Sequence, residues 1–311
     1  MDKSKLILFF QASRPKFLAA SAAPVLVGSA MGYATCGVFH LHLFILAILS
    51  IMALHSGANL ANDYFDHISG NDWANKNPTP FSGGSRYIQK GLLPPKAILL
   101  FSLLCLATGS AIGVVILFLT RSLFILGLGL IGLLGGFFYT APPVKLGYRC
   151  IGEFVIAVLF GILPVYGSYY LQTKTIDFIP ILPACIAAIL IFLVILVNEF
   201  ADVTADASVN KRTLVVRFGV PASVWIYRIA IFVSFAIAAA MLPCRSMFFA
   251  GVFYLVTLPA AVSTAKAANK NDLAMPGYYR ASQLTVMLHL IGNLALTIGF
   301  IVHAITRSPI T

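Results

Sequence analysis

Long apolar segments alternate with short polar connections along most of the chain. Nine of them approach the roughly 20 residues that an α-helix needs to cross the hydrocarbon core of a bilayer. Their approximate limits are 17–35, 41–61, 97–120, 122–140, 151–171, 178–198, 221–243, 247–264 and 282–304. A shorter stretch, residues 5–16, is typical of an interfacial helix. The pattern predicts an all-α integral membrane protein with nine transmembrane helices, built as a single membrane domain over residues 1–311.

The basic residues lie mainly in the connections on one predicted side of the membrane. With the N-terminus in the cytoplasm, 16 of the 21 Lys and Arg residues fall on the cytoplasmic side, 4 fall on the opposite side, and Arg228 lies within the seventh segment. Because cytoplasmic loops carry an excess of Lys and Arg, this bias favours a cytoplasmic N-terminus. The two long polar loops, 63–96 and 199–220, then face the cytoplasm. We expect a multi-pass protein of the cell (inner) membrane.

The composition excludes several classes of protein. The chain is 59% hydrophobic and only 10% charged, with a mean hydropathy of +0.93, which is typical of a membrane protein and not of a soluble domain. The net charge of +11 comes from the loops, so we expect no nucleic-acid partner. The five cysteines form no Cys-x-x-Cys pair, and we interpret them as packing residues and not as a zinc or redox site.

Six of the ten acidic residues lie in or beside two stretches that end the second and sixth apolar segments. Each stretch contains Asn-x-x-x-Asp, a spacing that places an amide and a carboxylate on one helix face. Carboxylates near lipid are costly and usually functional, and Mg²⁺ prefers such oxygen ligands together with substrate phosphates. Solvated helix ends are the alternative interpretation. The candidate metal ligands are Asn62, Asp63, Asp66, Asp72, Asn198, Asp202 and Asp206.

Basic and polar residues of the same loops are candidates for binding a diphosphate. Arg and Lys can neutralise a diphosphate as it leaves, although the positive-inside rule alone accounts for most of these residues. The candidates for diphosphate binding are Arg86, Lys145, Lys211, Arg212, Ser85 and Tyr139. For catalysis we select Asp66, Asp202, Arg86 and Lys145. His55 and Glu153 are interpreted as packed, hydrogen-bonded residues.

Taken together, these motifs resemble the UbiA superfamily of intramembrane prenyltransferases over nearly the whole chain. Within it, the chain is most similar to the branch of 1,4-dihydroxy-2-naphthoate polyprenyltransferases of menaquinone biosynthesis. The resemblance rests on Arg14-Pro15 with residues 23–28, on residues 62–66 with Gly70-Asn71-Asp72, and on Asp202-x-x-x-Asp206 with residues 211–219. The general pattern has a further aspartate where this chain has Gly70, and we expect Asp72 to take its place, as in the naphthoate branch.

The resemblance implies nine helices, Mg²⁺ as cofactor, and a polyprenyl diphosphate and an aromatic acceptor as partners within the lipid bilayer. With dihydroxynaphthoate as acceptor, loss of CO₂ accompanies prenyl transfer. Other acceptors in the superfamily remain alternatives: 4-hydroxybenzoate, homogentisate, haem or a glycerol lipid. A secondary transporter is a remote alternative, since its polar site would lie near the midplane of the bilayer. Prenyl chain length and assembly into a homo-oligomer are left open.

Overall fold

The computed structural model describes residues 3–273 and 275–307. Apart from one isolated β-bridge between Arg149 and Arg212, the regular structure of this part of the chain is helical. The α-helices are α1 (Lys3–Ala12), α2 (Leu18–Cys36), α3 (Leu41–Ile68), α4 (Asn71–Ala74), α5 (Pro95–Thr120), α6 (Leu123–Phe137), α7 (Gly152–Ala157), α8 (Leu163–Thr173), α9 (Ile181–Ser208), α10 (Leu214–Met241), α11 (Phe248–Leu255), α12 (Leu258–Ala267), α13 (Lys270–Leu273) and α14 (Arg280–Arg307).

Most of the apolar segments are long enough to cross a membrane. Within the described residues, seven helical stretches pass that test by length and composition, and the pair α11 and α12, bent by 45°, forms an eighth span if it is counted as one. The remaining apolar segment, residues 122–140, corresponds to α6, which has only 15 residues. The all-α membrane architecture is therefore confirmed, whereas nine spans and a cytoplasmic N-terminus stay predictions.

Helix α9 lies in the hydrophobic core of the bundle. Its apolar residues pack with those of α2, α8, α10, α11 and α14 in one buried cluster. Small residues allow close helix approach in membranes, and a Cβ atom added to Gly161 would lie 2.3 Å from the Cα atom of Ala188 in α9. The acid-bearing end of α9 is thereby held against its neighbours.

Two helices depart from regular α geometry. Residues Val158–Ile162, between α7 and α8, form a π-helical turn, a feature that is frequent at functional sites. Gly219 interrupts α10 with a φ of 78° and is followed by Pro221. The break explains why the apolar pattern predicts the seventh span from residue 221, although helical structure begins at Leu214.

Candidate active site

A cavity of about 200 Å³ lies where the C-terminal parts of α3 and α9 meet. Both helices have 28 residues, which at about 1.5 Å per residue exceeds the roughly 30 Å hydrocarbon core. Their polar last turns can thus extend beyond the apolar layer. The polar residues that line the cavity are Arg14, His55, Asn59, Asn62, Asp66, Asn71, Asp72, Asn75, Ser82, Tyr139, Asn198, Glu199, Asp202, Asp206 and Lys211.

The loop that follows α3 is fastened onto the second acidic stretch. The side-chain amide of Asn75 donates a hydrogen bond of 2.7 Å to Asp202, and the backbone N–H of Gly83 donates one of 3.2 Å to the other oxygen of the same carboxylate. One helical turn later, Asp206 accepts a 2.9 Å hydrogen bond from Asn71. The two acidic stretches, far apart in sequence, therefore face one another across a single cavity.

Lys211 links the two acidic stretches electrostatically. Its Nζ atom lies 3.6 Å from an oxygen of Asp66 and 3.4 Å from an oxygen of Asp206. Burial by itself lowers the pKa of Lys211, but the negative charges of Asp66 and Asp206 outweigh it, so the pKa lies well above its ordinary value. Lys211 is therefore a permanent cation in contact with both stretches.

Asp72 occupies a tight, negatively charged position. Burial, reinforced by the charges of Asp66 and Asp63, raises the pKa of Asp72 to about 8. Its carboxylate accepts a 3.0 Å hydrogen bond from Gln89. A Cβ atom on Gly84 would lie 2.9 Å from both of its oxygens, and Gly84 has a φ of +75°. A bound cation would stabilise the ionised form of Asp72.

Replacement of Gly84 by Ala tests whether this close approach matters. The methyl group would press on the Asp72 carboxylate, so we expect kcat/KM of the enzyme to fall by about tenfold or more. Gly91→Ala is the matched control, because Gly91 also has a positive φ (+68°) but no atom within 4 Å of an added Cβ. Steady-state kinetics of both variants check the prediction, and equal losses of kcat/KM would contradict it.

The oxygen atoms of the cavity fit Mg²⁺ bound together with a diphosphate. Within residues 3–273 and 275–307, no group of three or more His, Cys, Asp or Glu side chains is arranged to hold a metal ion. Mg²⁺ usually takes one or two carboxylates and completes its shell with water and substrate phosphates, which does not require such a group. Among the described residues, the buried Oδ1 atoms of Asn71 and Asn198 have no hydrogen-bond partner, so these amide oxygens can act as ligands.

Several candidates that we selected from the sequence lie beside the cavity without lining it. Asp63 is buried and pairs with the guanidinium of Arg14, while the backbone N–H of Ser85 also donates to it, at 3.2 Å. The guanidinium of Arg86 donates to the backbone oxygen of Asp72. These residues hold the ends of the loop in place beside the cavity.

The remaining basic candidates differ in their placement. The Nζ atom of Lys145 lies 5.0 Å from the centroid of the Tyr148 ring and does not reach the cavity lining. Arg212 is exposed to solvent. Tyr139 does line the cavity, and a Cβ atom on Gly147 would lie 2.9 Å from its ring, so the chain packs tightly behind the phenol.

Four residues of the site network are absent from our sequence-based selection. Asn71, Asn75 and Tyr148 donate hydrogen bonds to the cavity carboxylates, Tyr148 at 3.1 Å from Asp66, and Arg14 pairs with Asp63. An amide in a polar loop, such as Asn75, and a single tyrosine, such as Tyr148, carry no distinctive pattern. Signals were available for the other two residues, because Arg14 and Asn71 belong to the motifs on which the family resemblance rests.

A second, apolar cavity of about 260 Å³ lies between α3, α5, α6 and α8. It is lined by leucine, isoleucine, valine and glycine residues for the most part. Four residues line both cavities: His55, Ala58, Gly136 and Phe160. The acid-lined cavity and the apolar cavity therefore adjoin at these four residues, an arrangement that suits a ligand with a charged head and a hydrocarbon tail.

The fold and this site define a helical integral membrane protein in which a cavity lined by charged residues adjoins an apolar one. Its sequence matches the model of the UbiA prenyltransferase family over residues 21–274, so the chain belongs to the UbiA prenyltransferase family and is a prenyltransferase. The family resemblance inferred from the acidic stretches is confirmed.

Individual relatives agree with this assignment. A 1,4-dihydroxy-2-naphthoate octaprenyltransferase of Haemophilus influenzae is 34% identical over 225 residues, which cover 70% of this chain and 71% of that protein. A 2-carboxy-1,4-naphthoquinone phytyltransferase of Synechocystis is 23% identical over 293 residues, covering 94% and 92%. The structure of a UbiA homolog from Archaeoglobus fulgidus bound to DMAPP and Mg²⁺ has the same fold, with a TM-score of 0.66 at 16% identity, covering 93% of this chain and 99% of that chain.

Proposed function

We propose that this enzyme transfers a polyprenyl group from a polyprenyl diphosphate to 1,4-dihydroxy-2-naphthoate, with loss of CO₂, in a Mg²⁺-dependent reaction. The observation that carries the proposal is the acid-lined cavity that adjoins an apolar one. The acceptor is supported by relatives whose names specify naphthoate or naphthoquinone prenylation. Their names also specify two different prenyl groups, octaprenyl and phytyl, so the chain length of the donor stays open.

Residues of both acidic stretches would hold the head of the donor. Asn62, Asp66, Asp202 and Asp206, assisted by Asp72, present oxygens to Mg²⁺, which when bound neutralises the diphosphate leaving group. Lys211 can turn from the carboxylates toward the phosphate oxygens and stabilise negative charge as the C–O bond of the donor breaks. Since Asp63, Arg86 and Ser85 have partners at the rim of the cavity, they would position the loop around the diphosphate.

The apolar cavity would receive the prenyl tail and exclude water. Breaking the C–O bond leaves an allylic cation, which water would quench, and an apolar enclosure prevents that side reaction. The electron-rich ring of the acceptor then forms the new C–C bond at the allylic carbon, and its bond to the carboxylate breaks, which releases CO₂ and restores the aromatic ring. Because the diphosphate binds on one side and the tail on the other, that carbon would lie near the four residues that line both cavities.

An assay of the purified protein tests the proposal. It would be given geranylgeranyl or farnesyl diphosphate with dihydroxynaphthoate or 4-hydroxybenzoate, with and without Mg²⁺. We expect a prenylated naphthoquinol and CO₂, formed only when Mg²⁺ is present. Product from 4-hydroxybenzoate alone would contradict the acceptor, and equal turnover after chelation of divalent cations would contradict the metal dependence.

We further propose that the active site faces the cytoplasm, in the inner membrane, as the excess of Lys and Arg on that side favours. The orientation predicts that Cys244, an exposed residue between α10 and α11, faces the opposite side. A membrane-impermeant thiol reagent added to intact spheroplasts should label a variant that keeps Cys244 alone. Labelling only after the cells are lysed would contradict the orientation.

A further inference from the structure

His55 lies at the junction of the two cavities. It belongs to α3, about two helical turns before Asn62, and it is among the residues that line both the acid-lined cavity and the apolar cavity. In the proposed reaction, the allylic carbon and the acceptor ring meet at this junction. His55 is therefore placed beside the reacting atoms, although the established family membership assigns no role to it.

The hydrogen bonds around His55 define its tautomer. The Nδ1 atom of His55 lies 3.0 Å from the hydroxyl oxygen of Ser21. A serine hydroxyl has a single proton, and that of Ser21 is donated to the backbone oxygen of Leu18 at 2.9 Å. With that proton directed to Leu18, Ser21 accepts from His55, and this arrangement assigns the proton of the neutral imidazole to Nδ1. Its Nε2 atom is then a hydrogen-bond acceptor.

The Nε2 atom is available to a ligand, and the imidazole ring is fixed in place. Within the described residues, the only hydrogen bond of the His55 ring is the one to Ser21. The ring packs against Phe160, with 4.7 Å between the ring centroids and an interplanar angle of 60°. Phe160 belongs to the π-helical turn Val158–Ile162, which brings this aromatic residue to the junction.

We infer that the Nε2 atom of His55 accepts a hydrogen bond from a ring hydroxyl of the aromatic acceptor. The inference rests on the proposed function and specifies how the acceptor is recognised. A hydroxyl that donates a hydrogen bond gains electron density on oxygen and passes it to the ring, which favours attack on the allylic cation. The contact also orients the ring toward the allylic carbon. His55 is thus a catalytic residue for acceptors that carry a hydroxyl group.

Two substitutions separate this role from a merely structural one. In His55→Gln, the end of the side chain replaces the Nε2 position and offers an amide oxygen as acceptor. In His55→Asn, the amide replaces the Nδ1 position, so contact with Ser21 is retained while the acceptor at Nε2 is lost. We expect kcat/KM for dihydroxynaphthoate to fall about 10- to 100-fold in His55→Asn and to stay within about threefold of wild type in His55→Gln. The KM for the prenyl diphosphate should be unchanged in both.

The outcomes of this experiment are distinct. The inference is overturned if His55→Asn keeps wild-type kcat/KM, if His55→Gln is impaired as severely as His55→Asn, or if the KM of the prenyl diphosphate changes instead. Thermal unfolding of the purified variants in detergent verifies that both are folded. Failure of the proposed function gives a different result, because the wild-type enzyme itself would then transfer no prenyl group to any hydroxylated aromatic compound. That result would also overturn the role inferred for His55.

Discussion

Replacing Asp202 by Asn is expected to lower kcat on the order of 10²- to 10³-fold. The carboxylate is held in place by Asn75 and by the backbone N–H of Gly83, so the protein itself fixes its position. The substitution keeps the shape of the side chain but removes its negative charge, which weakens the site for Mg²⁺ and diphosphate. Asp66→Asn should behave in the same way, because Asp66 provides the equivalent carboxylate of the first stretch. Steady-state and single-turnover kinetics measure the effect.

A matched control separates loss of the site from a general effect of removing a charge. Asp272→Asn removes a carboxylate whose hydrogen-bond partner is Asn269, outside the residues that line either cavity. It should retain activity within about twofold of wild type. Wild-type turnover in folded Asp66→Asn or Asp202→Asn enzyme would contradict the assignment of both acidic stretches to the metal and diphosphate site.

Replacing Lys211 by Met is expected to raise the KM for the prenyl diphosphate about 10- to 100-fold and to lower kcat as well. Lys211 is the cation that lies within 4 Å of both Asp66 and Asp206. Its removal takes a hydrogen-bond donor away from the diphosphate leaving group. It also leaves the carboxylates of Asp66 and Asp206 without a neighbouring positive charge. The concentration of Mg²⁺ needed for half-maximal activity should therefore stay the same or fall. Titrations of prenyl diphosphate and of Mg²⁺ test the two effects separately.

Two further variants calibrate this result. Lys211→Arg keeps the positive charge and should recover much of the lost affinity, although its planar head group differs in shape. Lys96→Met removes an exposed lysine at the start of α5, and it should leave both titrations unchanged. If Lys211→Met required more Mg²⁺ while its affinity for the prenyl diphosphate was unchanged, Lys211 would serve the metal site indirectly and would not bind the diphosphate.

The architecture could be predicted well because the bilayer imposes simple rules on the sequence. Apolar segments of about 20 residues become helices, since backbone groups in lipid must satisfy their hydrogen bonds within the segment. The limits of the segments were less predictable. Helix α6 is shorter than the apolar run from 122 to 140. Gly219 breaks α10 five residues after its start. Both boundaries depend on local packing and backbone geometry, which decide where a helix ends.

The composition of the site was predicted in part. Charge in an apolar chain is costly, which made the carboxylates of α3 and α9 recognisable. The choice among basic residues was harder, because the positive-inside rule places many of them in the same loops. Lys211 reaches the cavity, whereas Arg86 is turned to the backbone of Asp72 and Lys145 lies over Tyr148. Those directions depend on neighbours that are distant in the sequence.

The sequence by itself determined that this protein is helical, lies in a membrane, carries two acidic stretches with the same Asn-x-x-x-Asp spacing and belongs with prenyltransferases. Hydropathy and helical periodicity are local properties, so they can be read without knowledge of the fold. Only the tertiary structure decided that the two stretches share one cavity, that the loop after α3 closes onto Asp202, and that His55 lies between the polar and apolar cavities. These facts depend on the packing of α3 against α5 and of α9 within the bundle, which no local pattern specifies.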